Sequence, residues 1–212
     1  MDAEFWHQMW QQPQQGFDQP QPNHFLTRYW SALKLKGNET VLVPLCGKSV
    51  DMTWLVQQGH SVLGVELSRK ALDAFVAEHH LSAEPLEHAV FEGHQTAEMR
   101  LFCGDFFKLS AHDCSEVSAF YDRAALVALP ADMRQRYAAH LAEVCADGVS
   151  GLLVVMDYDQ TAMSGPPFSV SDHEVVQLFS EHFDLQKIAS ETLQRKGVQI
   201  TESVHLCQRK SR

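Results

Sequence analysis

The chain lacks the features that mark membrane, nucleic-acid-binding and secreted proteins. None of its apolar runs approaches the roughly 18 residues that a bilayer span needs, and its N-terminus lacks the basic start and apolar core of a signal peptide. Lys and Arg number 17 against 27 Asp and Glu, a net charge of −10 that argues against nucleic acid or an anionic membrane as a partner. The five cysteines are odd in number and widely spaced, which is typical of free thiols in a reducing compartment. We expect a cytoplasmic protein that acts as a monomer.

Metal-binding spacings are missing as well. The 12 histidines form no His-Glu-x-x-His pair and the cysteines form no Cys-x-x-Cys pair, so we expect no metal site. Asp157 and Asp159 have the spacing of a divalent-metal pair, but carboxylates at the end of a strand are usually helix caps. No repeat or second domain emerges, and 212 residues suffice for one large α/β domain.

What the sequence does contain is a strand–turn–helix–strand unit, VLVPLCGKSVDMTWLVQQGHSVLGVELS, beginning at Val41. Residues 41–45 are apolar and rich in β-branched side chains, which favours a strand buried on both faces. A glycine turn at 46–49 precedes an amphipathic helix over 50–58, and a second buried strand over 61–65 ends at Glu66. This order predicts a nucleotide-binding βαβ unit.

The unit has one glycine and one carboxylate where a nucleotide site would place them. In such units a glycine lets the backbone approach the ligand, and a carboxylate about 20 residues later binds the ribose hydroxyls, as Gly47 and Glu66 would. A dinucleotide site needs three glycines, and a P-loop needs glycine where this chain has Leu42. A nucleoside without phosphates fits better, and S-adenosylmethionine is the commonest. Alternatively, Gly47 only makes a turn and Glu66 caps the next helix.

Two further strands end at polar residues. The strand over 100–103 leads to Asp105 and Phe106, which would bind the adenine amino group and pack on the ring if this edge lines the ligand crevice. Alternatively, Asp105 caps a turn and Phe106 fills the core. The strand over 117–121 leads to Asp122 and Arg123. They form a salt-bridged strand end, or Arg123 draws an anionic acceptor while Asp122 holds it or accepts a proton.

The N-terminal residues and the second half of the chain supply the remaining elements. Phe5, Trp6, Met9 and Trp10 fit one face of a helix that either docks on the core or closes over the ligand. A helix over 24–35 should be packing, as should a helix that begins at Pro130. Ser171 and Glu174 form a capping box, and residues 183–207 predict a hairpin around Lys196 and Gly197.

Seven strings then resemble the bacterial thiopurine S-methyltransferase family: VLVPLCGKS, DMTWL, GHSVLGVELS, GDFF, YDRAALVALP, YDQ and GPPFSV. The similarity runs from FWHQMW near the N-terminus to the last strand. It implies a class I S-adenosylmethionine-dependent methyltransferase acting on sulfur, and in some members on selenium or tellurium. The expected fold is one α/β domain over 1–212, with an N-terminal helical lid segment (1–36) and a Rossmann-like core (37–212). The core would be three-layered and doubly wound, with a mostly parallel seven-stranded sheet whose last strand is antiparallel.

The resemblance also assigns roles to residues. It implies a donor site of Trp10, Leu45, Gly47, Glu66, Asp105, Phe106 and Arg123. It places Phe17 and Asp18 on the acceptor side, where Phe168 offers an apolar wall, and leaves Asp122 and Arg123 as the catalytic candidates. Asp18 departs from the family, which usually has His there, and an added carboxylate should disfavour anionic acceptors.

The expected partner is a small thiol, or a selenium or tellurium compound. A nicotinamide-dependent dehydrogenase would share the βαβ unit but lacks its glycines here, and Leu42 excludes a P-loop phosphotransferase. The alternative that stays open is a non-catalytic module of the same fold that holds the donor or a metalloid.

Overall fold

The computed structural model describes residues 3–11, 18–195 and 197–211. They form one mixed parallel and antiparallel β-sheet that is flanked by helices. The strands are β1 (Thr40–Pro44), β2 (Ser61–Glu66), β3 (Glu84–Pro85), β4 (Glu92–Gln95), β5 (Met99–Cys103), β6 (Val117–Arg123), β7 (Ser150–Asp157), β8 (Phe183–Arg195) and β9 (Val198–Arg209). The helices are α1 (Ala3–Met9), α2 (His24–Tyr29), α3 (Asp51–Gln57), α4 (Arg69–Glu78), α5 (Ala131–Val144) and α6 (Asp172–Phe179). Short 3-10 turns cover Trp30–Leu33, Phe106–Lys108 and Leu126–Ala128.

The strand order is β3-β4-β5-β2-β1-β6-β7-β9-β8. The five central strands, β5, β2, β1, β6 and β7, are parallel to one another, and β9 pairs antiparallel with both β7 and β8. The mostly parallel doubly wound sheet and its antiparallel last strand are therefore confirmed.

The strand number differs from the expectation. The described residues form nine strands rather than seven, because β3 and β4 add an antiparallel edge beyond β5. Both lie in the stretch interpreted from sequence as a connection with at most one short strand. They are two and four residues long and mostly polar, so neither has the alternating apolar pattern that marks a half-buried strand.

Side chains of the central strands alternate between two cores. Leu42 packs on the face covered by α5 and α6, whereas its neighbours Val41 and Val43 pack on the face covered by α2, α3 and α4. Phe25 and Leu26 of α2 are fully buried in that second core. The helix expected over 24–35 is a shorter α-helix, α2, followed by the 3-10 turn Trp30–Leu33, and its buried side chains pack as expected. The helical layers lie on both faces of the sheet.

The predicted βαβ unit is present as β1, α3 and β2. Gly59 ends the helix with φ of +94°, and a Cβ there would lie 2.5 Å from the carbonyl oxygen of Gly37, so only glycine fits. Half of the predicted capping box is present: the Ser171 hydroxyl accepts a hydrogen bond from the Glu174 amide (3.2 Å), whereas the Glu174 carboxylate accepts one from Arg134 (2.6 Å). The five cysteines form no disulfide, and no helix among the described residues has the length and apolar character to cross a membrane.

Candidate functional site

A cleft of about 340 Å³ opens where the parallel strands end at their carboxyl edge. The sequence-predicted residues that line it are Trp10, Asp18, Leu45, Gly47, Glu66, Asp105, Phe106 and Arg123. Four of the contributing segments lie at the ends of β5, β2, β1 and β6, which are neighbours in the sheet, and the N-terminal segment adds Trp10 and Asp18. Asp122 and Phe168 do not line the cleft, and Phe17 lies outside the described residues.

Gly47 and Glu66 are in direct contact. The Gly47 amide donates to Glu66 Oε2 (3.0 Å), and the Ser68 amide donates to Glu66 Oε1 (2.8 Å). Gly47 has φ of +55°, and a Cβ there would lie 3.0 Å from the Trp10 ring. Burial raises the pKa of the Glu66 carboxyl, although hydrogen bonds from the Ser68 and Gly47 amides and from the Trp10 side chain oppose the shift. The site therefore combines a glycine that accepts close contact, a buried carboxylate and a large aromatic surface.

Asp105 caps a turn and Phe106 packs in the core, as the structural interpretation expects. Asp105 accepts a hydrogen bond from the Phe107 amide (3.0 Å), and the Phe106 ring packs in the core against Tyr137, with centroids 5.3 Å apart. Both residues also line the cleft. Capping a turn and facing a ligand are thus compatible for these side chains.

Arg123 is held by a carboxylate that sequence reasoning missed. Its Nε and Nη2 donate to Asp51 Oδ2 (3.1 and 2.9 Å), and Nη2 also donates to Ser49 Oγ (3.0 Å). Asp51 is completely buried at the start of α3. In the sequence it looks like an ordinary helix-start aspartate, and only the pairing of distant strands reveals its partner.

Asp122 points into the core instead of holding Arg123, which corrects the sequence expectation. Its Oδ2 accepts from the Tyr137 hydroxyl (2.7 Å), and its Oδ1 accepts from the amides of Ala125 and Leu126 (3.1 and 3.2 Å). Burial raises the pKa of the Asp122 carboxyl to about 6, against the hydrogen bonds from Tyr137, Leu126 and Ala125. Successive side chains of a strand point to opposite faces, so neighbours in the chain do not share a partner.

Asp18 is neutralised by a lysine of the glycine turn. Lys48 Nζ lies 2.7 Å from Asp18 Oδ2 and 2.7 Å from Glu78 Oε1 at the end of α4. The pKa of Lys48 is raised, because its hydrogen bonds and charge interactions with Asp18 and Glu78 outweigh the opposing effect of burial. Lys48 therefore partly offsets the negative charge of Asp18. Asp18 then disfavours an anionic acceptor less than the sequence alone indicated.

The apolar wall is built from prolines rather than Phe168. Pro166 and Pro167 line the cleft, whereas the Phe168 ring lies beside Arg134, whose guanidinium carbon is 5.8 Å from the ring centroid. The Phe168 amide donates to the Val127 carbonyl oxygen (2.6 Å), which ties the loop to the turn after β6.

Helix α5 contributes lining residues that the sequence interpretation treated as packing. Met133, Arg136 and Tyr137 face the cleft, and the Arg136 guanidinium carbon lies 4.6 Å from the Phe107 ring centroid. Their i, i+3, i+4 spacing places them on one helix face, but the spacing does not reveal which partner that face meets.

The two aspartates at the end of β7 are engaged locally. Asp157 accepts from the Ser169 hydroxyl (2.9 Å), and Asp159 accepts from the Thr161 amide (2.9 Å). Within the described ranges, no three His, Cys, Asp or Glu side chains are grouped so that they could hold a metal ion.

The fold and the cleft together define the class of protein. The cleft offers a glycine that tolerates ring contact, a buried carboxylate on the next strand and flanking aromatic rings, a set that fits an adenosyl ligand. The fold matches a solved S-adenosylmethionine-dependent methyltransferase from Methanosarcina mazei with a TM-score of 0.65 at 16% identity, covering 90% of this chain and 99% of that one. The protein thus shares the Rossmann-like fold of that methyltransferase.

Sequence comparison identifies the family. Residues 1–210 match the family model for thiopurine S-methyltransferase. The thiopurine S-methyltransferase of Pseudomonas fluorescens strain Pf-5 is 48% identical over 186 residues, 88% of this chain and 84% of that protein. That of Pseudomonas putida strain GB-1 is 50% identical over 180 residues, 85% of this chain and 83% of that protein. The chain belongs to the thiopurine S-methyltransferase family.

Proposed function

We propose that this enzyme methylates the sulfur of aromatic or heterocyclic thiols, thiopurines among them, and that reduced selenium and tellurium compounds use the same acceptor site. The carrying observation is that the described lining residues include no histidine, and that each of their three carboxylates already has a hydrogen-bond or ion-pair partner. Asp18 is bound by Lys48, Glu66 by the Gly47 amide and Asp105 by the Phe107 amide. We therefore expect an acceptor whose sulfur is already ionised when it binds.

The nearest thiol cannot substitute for a base. Cys46 also lines the cleft, but burial raises its pKa well above the usual value, and the charge of Glu66 raises it further. Aromatic thiols and selenols are largely ionised near neutral pH, whereas alkyl thiols are not. This difference favours aromatic acceptors.

The chain's own residues then have to align two ligands and exclude water. Glu66 is proposed to bind the ribose hydroxyls, since a carboxylate has acceptor sites beyond those used by the two amides. Asp105 and Phe106 would hold the adenine, and Leu129, Met133, Pro166 and Pro167 offer an apolar wall for an aromatic ring. When bound, S-adenosylmethionine supplies a methyl group on a positively charged sulfur. Arg123 lies at the cleft where it would contact the donor and draw the thiolate.

The test compares two acceptors of similar size with labelled S-adenosylmethionine. Thiophenol should accept methyl at about pH 7, whereas cyclohexanethiol should do so only as pH rises and its thiol ionises. Equal rates at neutral pH would overturn the proposal, because they would require a base on the protein. Benzeneselenol and benzenetellurol test the metalloid acceptors. Donor binding without transfer to any of these acceptors would leave the non-catalytic module instead.

A further inference from the structure

Asp51 joins two parts of the molecule that belong to different elements. It has no exposed surface and does not line the cleft. Its Oδ2 accepts from Arg123 Nε and Nη2 (3.1 and 2.9 Å) and from the Tyr121 hydroxyl (3.0 Å). Its Oδ1 accepts from the Asn23 amide (2.7 Å). One carboxylate therefore binds the cleft arginine on one side and the N-terminal segment (residues 1–36) on the other.

The contact at Asn23 fixes the start of α2. Asn23 Oδ1 accepts from the Phe25 amide (2.9 Å), so this residue caps the helix while its own amide binds Asp51. The part of the N-terminal segment that precedes Asn23 carries Trp10 and Asp18, which line the cleft. Asn23 is thus one of the points at which this segment docks on the core, next to the buried Phe25 and Leu26.

The contact at Arg123 fixes the plane of its guanidinium group. Two of its nitrogens are bound by Asp51, and Nη2 also donates to Ser49 Oγ (3.0 Å) in the turn that follows β1. A buried carboxylate oxygen that loses its donor is left unsatisfied, and the carboxylate can then shift toward its remaining donors, so the bonds on its two sides depend on each other.

We propose that Asp51 is a positioning residue that couples the docking of the N-terminal segment to the orientation of Arg123. The inference rests on the proposed role of Arg123 at the cleft. When the Asn23 amide is in place, Asp51 is held so that Arg123 faces the ligands. When that amide is lost, Asp51 and Arg123 rearrange together, and both donor binding and methyl transfer weaken.

A matched pair of substitutions isolates the coupling. Asn23 has φ of −58°, which proline adopts, so Asn23→Pro removes the amide donor without forcing the backbone. Asn23→Ala removes the same side-chain cap but keeps the amide. We expect kcat/KM for thiophenol to be at least about fivefold lower in Asn23→Pro than in Asn23→Ala, with a matching rise in the Kd for S-adenosylhomocysteine.

The same pair in an Arg123→Met background shows whether the effect passes through Arg123. In that background, Asn23→Pro and Asn23→Ala should have the same kcat/KM and the same Kd for S-adenosylhomocysteine. A purely structural effect of Asn23→Pro would still separate the two variants. Equal values for the two Asn23 variants, or an undiminished gap in Arg123→Met, would overturn the coupling. If Asn23→Pro does not fold, the double-mutant cycle of Asp51→Asn with Arg123→Met replaces it, and additive effects would overturn the proposal.

Failure of the proposed function can be told apart from failure of the coupling. If no thiol is methylated but S-adenosylhomocysteine binds, the acceptor assignment falls while the Kd comparison still decides the coupling. If Arg123→Met alone changes neither readout, both the role of Arg123 and the coupling are overturned.

Discussion

At the scale of single residues, three buried aspartate and glutamate carboxylates have different tasks. Asp122 is surrounded by donors inside the core, Asp51 is paired with Arg123, and Glu66 faces the cleft. The sequence predicted Glu66 correctly as a cleft residue because the βαβ unit has a regular spacing. It misassigned the partner of Arg123 because side-chain direction at the end of a strand is set by tertiary pairing.

The raised pKa of Asp122 has a consequence for stability. The folded pKa is about 6 against the ordinary 3.8, so the folded protein binds more protons in this window and Asp122 contributes stability that is lost as pH rises. Between about pH 4 and pH 7 the loss amounts to about 2 kcal/mol in the free energy of unfolding. Urea unfolding of the wild type and Asp122→Asn at both pH values should show this difference. Identical pH dependences in the two proteins would contradict it.

Glu66 makes a prediction about ligand affinity. Replacing it with glutamine should raise the KM for S-adenosylmethionine by about tenfold or more, because hydrogen bonds to a charged group are lost, and should change the KM for the thiol much less. Steady-state kinetics with each ligand varied in turn measures both. Glu98→Gln, at an exposed glutamate outside the cleft, is the control. Equal changes in the two constants would refute the assignment of Glu66 to the ribose.

At the scale of elements, Lys48 ties the N-terminal segment to the core. It lies in the turn between β1 and α3 and binds both Asp18 and Glu78 of α4. The turn was predictable from Gly47, but the bridge was not. Asp18 lies 30 positions before Lys48 in the chain, and Glu78 lies 30 positions after it. Likewise, the short edge strands β3 and β4 depend on β5 for their hydrogen bonds and leave little trace in the sequence.

Removing the bridge should loosen the N-terminal segment. We expect Lys48→Met to speed chymotryptic cleavage after the aromatic residues of α1 and to raise the KM for the donor several-fold, because Asp18 loses its cation. Glu78→Gln keeps the Asp18 contact and should change both less. Time courses followed by mass spectrometry measure the cleavage, and an unchanged rate in Lys48→Met would argue against the bridge as a tie.

At the scale of the whole molecule, all five thiols lie in the two hydrophobic cores or pack against them. Cys46, Cys114, Cys145 and Cys207 are buried, and Cys103 is half-buried. Burial raises the pKa of each of these thiols, to about 12 for Cys114. The sequence could indicate free cysteines from their number and spacing, but not their enclosure, which depends on how the sheet and helices pack.

The folded protein should therefore react slowly with a thiol reagent. With Ellman's reagent at about pH 8, we expect fewer than one equivalent to react rapidly in the native state, because thiolate is the reactive form, and five after unfolding in guanidinium. Absorbance of the released chromophore gives the count. Rapid native reaction of two or more thiols would show that the cores open readily.

The contact of Trp10 with Gly47 and Glu66 gives the enzyme an intrinsic optical reporter. An indole that is 5% exposed and hydrogen-bonded to a buried carboxylate emits differently from one that a ligand has moved. Of the four tryptophans, Trp10 and Trp6 line the cleft. Trp30 and Trp54 belong to the core formed with α2, α3 and α4, where the indole of Trp30 donates to His60. Titration with the donor should therefore change the emission of the wild type, and a Trp10→Phe protein should lose most of that signal. The donor affinity can then be measured without a label and without an acceptor.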